Sequence, residues 1–151
     1  MERSVRLRFV LAAPVLAASY FYLLIFLIGW TSTRFWPSWW FGVFPSRHIA
    51  ALTWTVGLHT IGVLSAALPV AVAAVVIARE RAALLGVIVG AIATTFAVLP
   101  SLRPDIWPLI WNNHPIYFVT DQIKLLVAVP IAVWIIRKLF SHSRFSTTAF
   151  G

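Results

Sequence analysis

The 151-residue sequence contains no cysteine, a single methionine and only four acidic side chains: Glu2, Glu80, Asp105 and Asp121. Without cysteine there is no disulfide framework, no thiol redox relay and no Cys-ligated metal or iron–sulfur site. Charge is scarce too: 11% of residues are Asp, Glu, Lys or Arg, against about 25% in an average soluble domain. No phosphate loop or dinucleotide fingerprint is present, which removes the common nucleotide-binding enzymes. Ser19 and Ser65 lie in no Gly-x-Ser-x-Gly setting, and neither has a histidine at helical spacing, so hydrolysis finds no nucleophile with a base. His-x-x-His and Glu-x-x-His spacings are missing as well, and no metal is expected. Internal repeats, low-complexity segments and linkers are also lacking, so residues 1–151 are read as a single domain.

Apolar surface is what the chain has in excess. Hydrophobic residues make up 61% of it, with a mean hydropathy of +0.91. A small soluble domain buries only about two-thirds of its unfolded surface and cannot hide this much. The expected class is therefore all-α: an integral membrane protein of four transmembrane helices in a kinked helical bundle. A bilayer core needs roughly 20 helical residues, and four runs supply them: about 9–29, 54–77, 82–99 and 118–136. The first resembles a signal peptide at its basic start. Its apolar run continues past the ~7–15 residues of a signal core, so it reads as an uncleaved anchor. Pro14, Pro69 and Pro130 fall inside spans and predict kinks, because proline removes a backbone donor and crowds the preceding turn.

The net charge of +8 becomes a topological signal once its cations are located. Arg3, Arg6, Arg8, Arg79, Arg81, Arg137, Lys138 and Arg144 share one side of a four-span chain; Arg34, Arg47, Arg103 and Lys124 share the other. The positive-inside rule then puts both termini in the cytoplasm, with a bacterial inner membrane as the expected location. No basic stripe with interleaved aromatics exists, so nucleic acid is not an expected partner. Seven of the eight tryptophans gather at the outer side. Trp36, Trp39 and Trp40 lie in an outer loop of about 30–53, Trp107 and Trp111 in another of about 100–117. Tryptophan suits the membrane–water interface, and these loops read either as a belt with short in-plane helices or as a lid over a lipidic ligand.

In the third span Ala82, Gly86, Gly90 and Thr94 recur every four residues. Small residues at this spacing form one helix face that lets another backbone approach closely in lipid, either within the chain or in a homodimer. Ionisable groups inside spans are costly and therefore mark candidate sites. His59, Asp121 and Lys124 are expected at similar depth in the outer half, beside Gln122 and beneath Asn112 and His114. They are candidates for ligand binding or proton relay. The alternative is structural: Asp121 and Lys124 neutralise each other at i,i+3, while His59 ties two spans together. No cofactor is expected; b-type haem and a quinone are the alternatives that the histidines leave open. Haem needs two histidines at one depth in a bundle, and only His59 is placed inside a span. The preferred function is a non-enzymatic accessory or binding subunit for a membrane partner or lipid. The alternatives are a homodimeric small transporter or channel, and an intramembrane oxidoreductase or lipid-modifying enzyme with a quinone-like or lipidic ligand.

Overall fold

A computed structural model describes residues 2–34, 38–113 and 115–146, and no strand occurs among them. Four long helices dominate: α1 (Glu2–Arg34), α4 (His59–Ala78), α5 (Ala82–Val98) and α7 (Pro115–Ser146). Shorter helices α2 (Ser38–Val43) and α3 (Arg47–Thr53) lie between α1 and α4, and α6 (Trp107–Asn113) lies between α5 and α7. The 30–53 segment is thus largely helical. It breaks at Phe44-Pro45-Ser46, where extended Ser46 caps α3 by accepting the Ile49 N–H at 3.2 Å. The 54–77 run divides as well. Trp54–Leu58 forms a π-helical turn that admits Gly57, and α4 begins at His59.

Two helical stretches are long and apolar enough to cross a membrane, Phe9–Gly29 and His59–Leu102. The second, of 44 residues, would run about 66 Å at 1.5 Å per residue. It is broken at Arg79–Arg81, where Arg79 adopts φ 43°, and α4 and α5 pack together as a hairpin. This hairpin is the centre of the molecule, since α1 and α7 each pack on both of its helices. At the hairpin turn Arg137 of α7 donates a long 3.5 Å hydrogen bond to the Glu80 carbonyl. Arg79, Arg81, Arg137 and Lys138 therefore share one end of the molecule.

The shared core is made mostly of small side chains. Ala13, Ala17, Ala66, Ala67, Ala71, Ala74, Ala82, Ala93, Ala128 and Ala132 are buried, joined by Leu16, Val63, Leu85, Val89, Val129 and Val133. The large apolar side chains point outward: Phe26, Ile61, Val76, Leu84, Phe96, Ile123, Trp134 and Phe140 are all exposed. Only 28% and 33% of the two membrane-length windows are buried within the protein. This distribution is the reverse of a soluble core, where large apolar groups go inside.

Helices α5 and α7 approach most closely where glycine permits it. A Cβ on Gly86 would meet the Pro130 Cα at 3.3 Å, and one on Gly90 would collide with the Leu126 carbonyl oxygen, with the carbonyl carbon 3.1 Å away. Leu126 lies four residues before Pro130, so its carbonyl has no proline N–H to accept from. The Gly90 Cα–H occupies the direction of the missing Cβ and points at that same oxygen, as a weak Cα–H···O contact requires. Within lipid, such close backbone contact is a main source of helix association. Gly90→Ala is expected to destabilise by about 1–3 kcal/mol through overpacking against rigid backbone. Gly86→Ala should cost less. Gly62, with open space around it, should be neutral or gain up to about 1 kcal/mol of helix propensity as alanine. Unfolding midpoints of the three variants in detergent check this ranking.

Candidate functional site

The end of the molecule opposite the cationic turn carries His59, Asp121, Gln122 and Lys124. Helix α7 presents Asp121, Gln122 and Lys124 in its second and third turns. Lys124 Nζ donates to Asp121 Oδ1 at 3.1 Å, the i,i+3 pairing that helical geometry allows. The same oxygen lies 3.2 Å from His59 Nδ1 at the start of α4. That contact is one of distance without alignment, because Nδ1 makes no hydrogen bond of acceptable geometry. The lysine side chain is 12% exposed and Asp121 32%, so the lysine depends more on the pair than the carboxylate does.

Sequence spacing and structure together bring His59, Asp121 and Lys124 into one cluster. Successive residues on a helix are turned by 100°, so Asp121 faces α4 and Gln122 is turned away from it. The Gln122 amide oxygen is buried and unpartnered, as is the Thr94 hydroxyl of α5. Asn112 is exposed on α6, and His114 lies outside the described residues. Ala82, Gly86 and Gly90 are buried, the two glycines against α7 of the same chain. Thr94 continues their stripe one turn further along.

Tyr20 was not a candidate by sequence, yet it is fully buried in α1 and donates to the Leu125 carbonyl of α7 at 3.4 Å. The signal available was a phenol in the middle of an apolar run, which needs a hydrogen-bond partner when buried. Through Tyr20, all four long helices contribute to this region.

Aromatic side chains pack beside the same end. Trp40 donates from Nε1 to the Ala50 carbonyl at 3.0 Å and meets Trp54 edge-on at 5.8 Å, linking α2, α3 and the π-helical turn. Trp39 packs on Trp40 and is itself exposed. Trp107 contacts Trp111 at 5.4 Å and Phe118 at 6.5 Å, bracing α6 on α7. Trp36 lies outside the described residues. His48 of α3 meets the Tyr117 ring at 6.5 Å, whereas His59 faces Asp121, so the two histidines have different partners. Among the described residues no three His, Cys, Asp or Glu gather as a metal ion would need.

The cluster can therefore hold a compensated charge pair within an apolar bundle and offers neutral hydrogen-bonding groups beside it. Compared with protein families, curated proteins and solved structures, the chain matches none.

Asp121→Asn should remove the carboxylate that balances the charge of a mostly buried lysine. Breaking such a pair costs about 3–5 kcal/mol when fully buried, and the exposure of Asp121 reduces the expectation to roughly 1–3 kcal/mol. Adding Lys124→Met should recover most of the loss. A double-mutant cycle on unfolding midpoints measures the coupling, and simple additivity of the two changes would show that the pair is not coupled.

Proposed function

We propose that the chain is an integral membrane protein with four transmembrane helices, in a bacterial inner membrane, serving as a binding subunit for another membrane protein or a lipid. The observation that carries the membrane reading is the outward placement of large apolar side chains around a core of alanine and valine. In water, exposed apolar surface costs about 25 cal/mol per Å²; in hydrocarbon that cost vanishes, while small residues retain the advantage of close helix contact. The four spans correspond to α1, α4, α5 and the apolar part of α7. An even number of spans puts both termini with the cationic Arg79–Arg81 turn, on the cytoplasmic side. The aromatic groups at the other end then occupy the outer interface, where indole N–H and ring find polar and apolar neighbours.

A binding role is favoured over a homodimeric transporter by the way the polar and small residues are used. Gly86 and Gly90 are occupied by α7 of the same chain, so the small-residue face is not free for a second copy. Asp121 is engaged from two sides, which suits a fixed tie better than a moving charge. What remains available to a partner is the apolar outer surface of the helices. An oxidoreductase or lipid-modifying activity has no observation in its favour beyond the polar cluster itself.

The absence of native cysteine makes topology directly testable. Cysteines introduced at Ser101 and Glu80 should label oppositely in intact cells: Ser101→Cys with a membrane-impermeant maleimide from outside, Glu80→Cys only after permeabilisation. Equal labelling of both would sink the four-span orientation. The binding role predicts that photo-crosslinkers at exposed Ile61, Phe96 and Ile123 capture a defined membrane protein or lipid in cells. Capture of bulk phospholipid alone, in proportion to its abundance, would count against it.

A further inference from the structure

Thr94 behaves unlike five other helical hydroxyls among the described residues. Ser19, Thr53, Thr60, Thr95 and Thr120 each donate to the carbonyl four residues earlier, at 2.5–2.9 Å. Thr94 makes no such bond, although its hydroxyl is buried. The position of α7 explains where it looks. Gly86 packs on Pro130 and Gly90 on Leu126, so each four-residue step along α5 is matched by a four-residue step back along α7. One further step sets Thr94 opposite Gln122. Two buried polar atoms, Thr94 Oγ1 and Gln122 Oε1, thus share one level of the α5–α7 seam and bond neither to each other nor to any other protein group.

An unsatisfied buried polar atom costs about 1–3 kcal/mol, and two on facing helices point to a shared partner outside the polypeptide. The geometry points to a binding site for a neutral hydroxyl group between Thr94 and Gln122. A hydroxyl donates one hydrogen bond and accepts others, so it serves the amide oxygen and the threonine hydroxyl at once. Charge is not called for: Asp121, one residue from Gln122, is compensated by Lys124 at 3.1 Å, and Thr94 and Gln122 themselves are neutral. A cation would find two oxygen ligands where several are needed, and an anion would find only the uncharged donors of the Thr94 hydroxyl and the Gln122 amide. The hydroxyl is supplied either by a water molecule or by a lipid alcohol such as the free hydroxyl of a diacylglycerol. The site rests on the membrane reading for the lipid source alone; cysteine labelling tests that reading separately.

The test uses the full chain in micelles of a detergent without hydroxyl groups, such as an alkyl amine oxide, with reversible unfolding as the readout. Thr94→Val and Gln122→Leu should each lower the folded-to-unfolded ratio about fivefold to tenfold. The double variant should be no worse than the poorer single one, because either change already breaks the bridge. Thr94→Ser, which keeps the hydroxyl, should stay within about twofold of the parent. If the apolar variants instead leave the ratio unchanged or raise it, as removal of an unpaired polar atom does, the site is overturned. Additive losses overturn it as well. With coupling established, added dioctanoylglycerol identifies the source. A higher unfolding midpoint in the parent but not in the double variant assigns the lipid alcohol; no change in either assigns water.

Discussion

The carbonyl of Leu126 is the point on which the packing of the helices turns. Pro130 deprives it of its helical donor, and an oxygen left in that state inside an apolar bundle must be answered from another helix. Gly90 answers it, and only glycine brings a backbone close enough. The same approach seats Gly86 on Pro130 and aligns α5 with α7 over their length. Because α1 and α7 both pack on the α4–α5 hairpin, the register of this one seam limits where every other helix rests. An apparent defect in α7 thereby becomes the feature that selects its neighbour.

The polar end follows from that register. Asp121 and Gln122 are adjacent in sequence but turned by 100°, which sends one toward α4 and the other toward α5. Helix α7 consequently serves two neighbours with two kinds of interaction. Toward α4 it makes an ionic cluster with its own lysine supplying the balancing charge. Toward α5 it leaves neutral oxygens unpaired. Low dielectric strengthens both effects, since it raises the value of a paired charge and the cost of a lonely dipole.

How much of this was legible in the sequence depends on the range of each interaction. The four-residue spacing of Ala82, Gly86, Gly90 and Thr94 reveals a helix face by itself, and the i,i+3 spacing of Asp121 and Lys124 reveals a local pair. Their meeting with His59 follows once both segments start at the same side. The partner of the small-residue face is less accessible, because a stripe says that something approaches closely without saying what. Pro130 held the missing half: counting back four residues from a proline names the freed carbonyl, but not the glycine on another helix that meets it. The π-helical turn at Trp54–Leu58 escaped notice because its extra residue leaves the hydrophobic pattern nearly unchanged. Likewise, the 118–136 run begins three residues inside its helix, which opens at Pro115, since a proline at the first helical position has no N–H to leave unsatisfied.

Tyr20 imposes an order in time on assembly. Its hydroxyl is buried in α1, yet the carbonyl it bonds belongs to a residue 105 positions later in the chain. At a synthesis rate of about 5–20 residues per second, that acceptor does not exist for roughly 5–20 s after the phenol has been made. Helix α1 must therefore wait, with its polar group turned to another partner, until the last long helix arrives. The α4–α5 hairpin has no such wait, because its two halves are separated by three residues. It is the natural first unit of the fold, and the first and last helices close around it together.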